Sequence, residues 1–253
     1  MNPADLPGEV AVVVPAAGSG SRLGGHRKQF RELGGRPVIV QTLLVFERHP
    51  EVHHIVVAAP EDAVKPLQQE FRRVGITKLE RVVAGGSTRQ ESVFRALAAL
   101  PPLVDVVLVH DAVRPFVRVS QVSDVIGAAR EYGAAAPAIP VTDTVRRSGD
   151  GFFGDTVDRS GLQRMQTPQG FRRSLLLEAH RLASEGGLDA TDDVGLAQHA
   201  GAPVRVVDGS SDNVKITNPD DWERATDFWP MWEKVLRLES GARGVVLRGE
   251  GGA

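Results

Sequence analysis

The chain has 253 residues, of which 42% are hydrophobic and 25% charged, so its composition is that of an ordinary globular protein and not of a disordered, collagen-like or membrane chain. Thirty Lys and Arg against 32 Asp and Glu leave a formal net charge of -2, which argues against binding bulk nucleic acid or an anionic membrane through overall charge. The lack of cysteine excludes a disulfide scaffold, a thiolate zinc site and a cysteine nucleophile, and it fits a reducing compartment. We therefore expect a cytoplasmic protein with no nucleic-acid or membrane partner.

Short runs rich in Val and Ile alternate with longer stretches of helical periodicity through the first half of the chain. The runs predict buried strands at 10–14, 55–59, 81–83 and 104–109. The periodic stretches predict helices at 38–47, 61–74, 90–100 and 121–132. This alternation predicts an α/β protein with a Rossmann-like, mostly parallel sheet and helices on both faces. Such a sheet binds ligands beyond the carboxyl ends of its strands, so functional residues are expected there.

The pattern changes over residues 141–165, which are too polar for a core element and too rich in β-prone pairs for a simple loop. We predict a projecting β-arm there, in a single domain that extends over 1–240. The later predicted elements are a helix at 174–185, strands at 204–207 and 214–217, and a helix that begins at Pro219. The three tryptophans of this last region pack either within the chain or at an interface, and the glycine-rich residues 241–253 are predicted to be disordered.

The most informative segment is 15–29, a glycine-rich turn directly after the first predicted strand. Backbone N–H groups in such a turn can approach phosphate oxygens, and Arg22 and Lys28 add positive charge. A dinucleotide fingerprint needs a glycine where Leu23 stands, and a Walker A loop needs Gly-Lys-Ser/Thr where residues 25–27 read Gly-His-Arg. The segment therefore predicts a phosphate site of another kind, and a flexible connection with solvated basic residues is the alternative.

The segment resembles the nucleotide-binding loop of the sugar-phosphate nucleotidyltransferases, which reads roughly A-A-G-x-G-x-R followed by P-K. Residues 16–22 match the first part and Lys28 the second, although Arg27 stands where the family usually has proline. Further motifs follow in order at 85–93, 110–115, 167–169, 191–193 and 212–217. Together they resemble the 2-C-methyl-D-erythritol 4-phosphate cytidylyltransferase family. The resemblance implies a nucleotide-diphospho-sugar transferase-like fold and a single nucleotidyltransferase domain.

The resemblance also implies a reaction. Such an enzyme joins CTP and 2-C-methyl-D-erythritol 4-phosphate to give 4-diphosphocytidyl-2-C-methyl-D-erythritol and pyrophosphate, a step of the non-mevalonate route of isoprene biosynthesis. It further implies a homodimer whose subunits exchange their arms. Ribitol 5-phosphate cytidylyltransferases share many of these motifs and are therefore an alternative. A nucleotide-binding regulatory domain without turnover is a second alternative.

By the same resemblance, three groups of residues form the site. The catalytic cations are Arg22, Lys28 and Lys215. The nucleotide-binding residues are Pro15, Ala16, Ala17, Gly18, Gly20, Gly85, Gly86, Ser87, Ser92 and Ala112. The residues that bind the acceptor substrate are Asp111, Arg114, Thr144, Arg159, Thr167 and Thr191, of which Thr144 and Arg159 act across the dimer interface.

Asp111 closely follows the apolar run 104–109, and an acid at the end of a buried strand is costly unless it is paired or binds a cation. We predict that Asp111 is a Mg²⁺ ligand, because oxygen ligands and a triphosphate substrate favour that ion. An ion pair with Arg114 is the competing interpretation. Local structure also explains two other motifs, since residues 87–90 read as a capping box and Thr191 as a helix N-cap.

Overall fold

The computed structural model describes residues 8–18 and 27–241. The strands in chain order are β1 (Glu9–Pro15), β2 (Glu32–Leu33), β3 (Arg36–Pro37), β4 (His54–Ala59), β5 (Leu79–Ala84), β6 (Val104–Val109), β7 (Ala134–Pro140), β8 (Val145–Gly149), β9 (Phe152–Val157), β10 (Gln163–Met165), β11 (Gln169–Arg172) and β12 (Arg205–Asp208). The α-helices are α1 (Val38–Arg48), α2 (Val64–Arg73), α3 (Arg89–Ala98), α4 (Val119–Tyr132), α5 (Arg173–Gly186), α6 (Asp193–His199) and α7 (Pro219–Gly241). Helix α7 ends at Gly241, and the rest of the tail predicted at 241–253 lies outside the described residues.

An eight-stranded sheet forms the centre of the molecule, in the order β5, β4, β1, β6, β11 and β7, with β10 and β12 both paired to β7. The neighbours β5, β4, β1 and β6 are parallel, and β12 is parallel to β7. Only β11 and β10 run antiparallel to the strands they pair with in this sheet. The prediction of a mostly parallel α/β sheet is therefore confirmed.

Helices cover both faces of the sheet, as the unbroken apolar run in β1 predicts. Val10, Val12 and Val14 pack in one core cluster, which also contains apolar side chains of α1, α2 and α4. Ala11 and Val13 pack in a second cluster, with side chains of α3, α5 and α6. All five side chains are completely buried. Since successive strand residues point to opposite faces, an apolar strand without alternation requires a helical layer on each side.

The C-terminal helix α7 closes the structure against the short β2–β3 hairpin. Trp229 and Trp232 lie in a third core cluster with Leu33 and Phe116, and Trp232 is fully buried. Gly34 has a φ of +58°, and a Cβ on this residue would lie 1.9 Å from Nε1 of Trp229. The helix can therefore approach this closely only because the turn residue is glycine. The sequence leaves two arrangements open for the tryptophans, and Trp229 and Trp232 pack within the chain.

A hairpin formed by β8 and β9 stands apart from the central sheet as its own two-stranded antiparallel unit. Its side chains are mostly exposed, including Phe152 at 78% and Phe153 at 85%. The hairpin lies within the segment 141–165, where the sequence predicts a projecting arm. The last part of that segment, β10, instead joins the main sheet beside β7.

The strand predicted at 214–217 is wrong, because these residues form no strand. The backbone N–H of Ile216 donates to the carbonyl of Val113, and the N–H and hydroxyl of Thr217 donate to the Asp221 carboxylate. These groups are therefore used in holding a loop to the start of α7, and no sheet ladder forms. Within the described ranges, no helix has the length and apolarity needed to cross a membrane.

Candidate active site

The parallel strands β1, β5 and β6 end at the same edge of the sheet, and a cavity of about 560 Å³ lies there. This is the edge at which open α/β sheets bind ligands. Lys215 and Thr217, from the segment before α7, also contribute to its lining. The lining residues are Pro15, Ala16, Ala17, Gly18, Lys28, Gln29, Gly86, Ser87, Thr88, Arg89, Ser92, Asp111, Ala112, Val113, Lys215 and Thr217.

Residues predicted from separate motifs meet in this cavity. They are Pro15, Ala16, Ala17, Gly18, Lys28, Gly86, Ser87, Ser92, Asp111, Ala112 and Lys215. Two further predicted residues, Gly20 and Arg22, lie outside the described residues. The predicted residues that do not line the cavity are Gly85, Arg114, Thr144, Arg159, Thr167 and Thr191.

Asp111 is the acidic residue of the cavity wall, and three cations surround its carboxylate. Oδ2 lies 3.1 Å from Nε of Arg114 and 3.1 Å from Nζ of Lys215, and Oδ1 lies 3.9 Å from Nε of Arg89. Burial acts to raise the pKa of Asp111, but Lys215, Arg114 and Arg89 outweigh it and hold this pKa well below its usual range. Asp111 is therefore ionised at neutral pH. The ion pair with Arg114, which is the competing interpretation of this residue, is present.

The buried side chains of His110 and Thr167 support Asp111 from behind the cavity. Nε2 of His110 lies 3.0 Å from the carbonyl oxygen of Arg114, so this nitrogen carries a proton and donates. Thr167 then donates its hydroxyl proton to Nδ1 of His110 and accepts from the backbone N–H of Asp111, at 3.1 Å in each case. Burial lowers the pKa of His110 to about 4. The neutral imidazole of His110 and the Thr167 hydroxyl, which both donates and accepts, thus hold the start of the loop after β6 in place.

The loop between β5 and α3 is held in one shape by the first turn of the helix. Oγ of Ser92 accepts from the N–H of Gly86 and donates to the carbonyl of Thr88. The N-cap of α3 is Thr88, which accepts from the N–H of Glu91, so the capping box predicted at 87–90 lies one residue later. The Glu91 carboxylate reaches back to the N–H and hydroxyl of Ser87. Backbone groups next to the cavity are therefore preorganised.

Close packing requires glycine at position 85, whereas a side chain at Gly86 would displace the Glu91 carboxylate that holds the loop. A Cβ on Gly85 would lie 2.3 Å from Cβ of Ala17, and one on Gly86 would lie 2.3 Å from the Glu91 side chain. Gly85 thus lets the end of β5 approach the glycine-rich segment that follows β1. Its role is therefore in packing, and it is not one of the lining residues.

The lysine segment is tied to the glycine-rich segment by its neighbour Gln29. Nε2 of this buried side chain donates to the carbonyl of Ala16 at 2.7 Å and to that of Gly18 at 3.2 Å. Arg27, which stands where the resembling family has proline, forms a two-bonded ion pair with Asp62 at 2.8 and 2.9 Å. This exposed pair connects the segment to the turn before α2.

The predicted acceptor-binding residues of the arm lie away from the cavity of their own chain. Thr144 and Arg159 are exposed, and Arg159 donates to the carbonyl of Thr142. Thr191 is exposed as well, and it does not cap α6 as predicted. The N-cap of α6 is Asp192, whose carboxylate accepts from the N–H of Gly195 at 2.9 Å.

Sequence reasoning does not single out five residues that line the cavity: Gln29, Thr88, Arg89, Val113 and Thr217. Each of them lies inside or next to a motif used above, so proximity in sequence was an available signal. Side-chain direction was not available, because it depends on how each loop leaves its strand.

Comparisons with known proteins agree with one another. A family model described as 2-C-methyl-D-erythritol 4-phosphate cytidylyltransferase matches residues 10–229. Proteins of that name from Salinibacter ruber and Geobacillus kaustophilus are similar to the chain. The first is 55% identical over 88% of this chain and 94% of its own length, and the second 43% identical over 83% and 92%. The crystal structure of the protein of that name from Thermus thermophilus is 37% identical, with a TM-score of 0.73 over 85% of this chain and 96% of that one.

Proposed function

Because the chain belongs to the 2-C-methyl-D-erythritol 4-phosphate cytidylyltransferase family, we propose that the cavity at the ends of β1, β5 and β6 is its active site. The reaction joins CTP and 2-C-methyl-D-erythritol 4-phosphate and yields 4-diphosphocytidyl-2-C-methyl-D-erythritol and pyrophosphate. The observation that carries the assignment is the meeting of Lys28, Lys215 and Asp111 with the two glycine-containing loops in one cavity.

The chemistry is transfer of a cytidylyl group. A phosphate oxygen of the acceptor forms a bond to the α-phosphorus of CTP, and the bond from that phosphorus to the bridging oxygen breaks as pyrophosphate leaves. A phosphate monoester is already an anion near neutral pH, so no strong general base is needed. The barrier is the approach of two polyanions in line, which positive charge and positioning lower. Lys28 and Lys215 supply that charge, together with Arg22 of the glycine-rich segment.

The nucleotide lies against backbone on two sides of the cavity in this proposal. Residues 15–18 follow β1 with small side chains, and Gly86 and Ser87 lie in the loop that Ser92 and Glu91 hold in shape. Small residues let a base or phosphate approach main-chain N–H and C=O groups. We place the acceptor beside Asp111, which Arg114 and Thr167 hold from behind the cavity, and near the loop with Thr191.

The donor set of the cavity suits Mg²⁺ bound together with substrate. Among the described residues no group of three or more His, Asp or Glu side chains could hold a metal, and Asp111 is the carboxylate that lines the cavity. Its Oδ1 has Arg89 as its ion-pair partner at 3.9 Å, which is beyond hydrogen-bond distance. Mg²⁺ commonly takes one or two carboxylates and obtains its other ligands from phosphates and water. Held by Asp111, the ion would neutralise charge on the phosphates.

The arm supports a homodimer in which each chain completes the site of the other. Phe152 and Phe153 expose large apolar surfaces on a hairpin that forms a separate two-stranded sheet in the described part of the chain. Exposed apolar groups of this size are typical of an interface. Thr144 and Arg159 flank the hairpin, and we assign them to the cavity of the second copy. The molar mass of the full chain in solution, measured by light scattering, tests this assembly, and a monomer would contradict it. We assign the enzyme to the cytoplasm, in keeping with its lack of cysteine.

Pyrophosphate release tests the proposed function directly. Each of the four nucleoside triphosphates is offered with Mg²⁺ and either 2-C-methyl-D-erythritol 4-phosphate or ribitol 5-phosphate. Turnover confined to CTP with the methylerythritol phosphate is expected. Preference for ribitol 5-phosphate would keep the mechanism and replace the acceptor. CTP binding without turnover on either acceptor would instead indicate a regulatory domain.

A further inference from the structure

Arg89 is a cavity residue to which the proposed mechanism gives no role. It is the first residue of α3, and its side chain remains 25% exposed in the cavity wall. The guanidinium lies between two carboxylates: Nη1 donates to Oδ2 of Asp193 at 2.7 Å, and Nε lies 3.9 Å from Oδ1 of Asp111. Asp111 faces the cavity, whereas Asp193 is completely buried behind it.

The backbone of Asp193 is anchored at the start of α6, and Arg89 is a cation that compensates the charge of the Asp193 side chain. Asp193 is the first residue of α6, and its backbone N–H donates to Oε1 of Gln169 at 3.0 Å. Its other carboxylate oxygen, Oδ1, has no hydrogen-bond partner among the described residues, and Nε2 of His180 lies 3.6 Å away. A fully buried carboxylate is unfavourable unless it is paired and hydrogen-bonded. The Asp193 carboxylate therefore fixes the orientation of the guanidinium.

The same two carboxylates keep Arg89 charged. Burial acts to lower the pKa of Arg89, but Asp193 and Asp111 outweigh it, so this pKa lies above its usual value. A planar guanidinium can donate from several nitrogens at once, which a lysine ammonium cannot do over the same span. The arrangement is thus a charged guanidinium at the cavity wall that a buried carboxylate holds from behind.

An ion pair that only joins α3 to α6 is the simpler explanation. It accounts for the contact with Asp193 but not for the exposure of Arg89 in the cavity or for its second carboxylate. In the proposed function, Arg89 lies on the side of the acceptor. It connects Asp111 to the start of α6, which follows the loop with Thr191, and this is the side assigned above to the acceptor.

We propose that Arg89 binds the phosphate of the acceptor substrate and that the buried Asp193 is a positioning residue that holds Arg89 for this purpose. The inference rests on the proposed function, because it needs an acceptor that carries a phosphate. Arg89 then compensates the negative charge of the nucleophile before the bond to phosphorus forms, and Asp193 acts only through Arg89.

The test compares Arg89→Lys, Asp193→Asn and the double variant in the full chain. Two exposed positions give matched controls, Arg73→Lys on α2 and Asp124→Asn on α4. Steady-state kinetics give KM for the acceptor and kcat at saturating CTP. The Kd for CTP is measured separately by calorimetry without acceptor. Thermal unfolding of each variant identifies those that fail to fold.

We expect each single substitution to raise the acceptor KM at least tenfold while the Kd for CTP changes less than threefold. We expect the double variant to resemble Arg89→Lys within about twofold, because Asp193 has no effect of its own once the guanidinium is gone. A folded Arg89→Lys variant with an acceptor KM within threefold of wild type would overturn the inference, as would an equal loss of CTP affinity. Failure of the proposed function is distinguishable, since the wild-type protein would then show no turnover with 2-C-methyl-D-erythritol 4-phosphate.

Discussion

Replacing Lys215 by methionine removes one cation from the cavity and keeps most of the side-chain volume. In the wild-type protein its Nζ lies 3.1 Å from Oδ2 of Asp111, and the side chain lines the cavity while 41% of it is exposed. The proposed mechanism makes this ammonium a group that stabilises charge developing on the phosphates. We expect Lys215→Met to lower kcat strongly and to reduce stability much less.

Both magnitudes follow from the position of Lys215. Loss of one preorganised electrostatic contact raises the barrier by about 3–4 kcal/mol, which corresponds to a fall in kcat of roughly 10²- to 10³-fold. Its effect on stability is smaller, because Nε of Arg114 still holds Oδ2 of the buried Asp111 at 3.1 Å. Removal of one of three cations around a buried carboxylate costs more than the roughly 1 kcal/mol of an exposed pair and less than leaving that charge unpaired, so we expect about 1–2 kcal/mol. For a chain of this size the Tm should then fall by about 2–8 °C.

The assay is pyrophosphate release at saturating CTP and acceptor, with thermal unfolding measured on the same samples. Lys65→Met on α2 is the control, because Lys65 is an exposed lysine outside the cavity. Lys215→Arg should recover part of the lost activity, since it restores the charge at a different position. A fall in kcat of less than threefold would refute the role of Lys215. A large loss of Tm in Lys215→Met would refute the claim that activity and stability separate here.

Three further predictions concern other parts of the molecule. Gly34→Ala should destabilise the protein by about 3 kcal/mol in urea unfolding, because its Cβ would lie 1.9 Å from Nε1 of Trp229 at a φ of +58°. Gly35→Ala, at a φ of +74° with open space around its Cβ, should cost only about 1 kcal/mol, and equal costs would contradict the close approach of α7. The pKa of His110 is lowered to about 4, below its value in the unfolded chain, so the unfolded state takes up the proton first as the pH falls. Wild-type stability should therefore decline by about 3 kcal/mol between pH 6.5 and 4 relative to His110→Gln, and parallel pH profiles of the two proteins would argue against a buried neutral imidazole. Chelation with EDTA should abolish pyrophosphate release and added Mg²⁺ should restore it, whereas undiminished turnover in EDTA would remove the metal from the mechanism.

The elements with a strong apolar signal are those that the sequence predicts best. The run 104–109 is strand β6 with the same bounds, and the helix predicted at 38–47 is α1, which begins at the same residue and ends one residue later. Both elements lie in the core, where burial requires an uninterrupted or periodic apolar pattern. Their local pattern and their tertiary environment therefore agree.

The elements that the sequence predicts poorly have a local pattern that is weak or that is typical of a different structure. Strand β7 reads AAAPAIP, with no Val and two prolines, yet it pairs with β11, β10 and β12. Alanine fits here because the strand is crowded by helices, and proline is tolerated where its missing N–H breaks no ladder bond. Residues 214–217 have the opposite character, since they look β-prone but use their hydrogen bonds to hold the loop that carries Lys215.

The sequence by itself determined the α/β class, the main strands and helices of the first half, and the glycine-rich and lysine segments as a candidate phosphate site. These depend on residues close together in the chain, so periodicity and turn chemistry reveal them. Only the tertiary structure decided which charges meet. Arg89 and Asp193 are 104 residues apart, and Arg114 reaches the carbonyl of Asn213 across 99 residues. Such pairs form because the fold removes both groups from water at one place, and no local pattern in the chain records that burial.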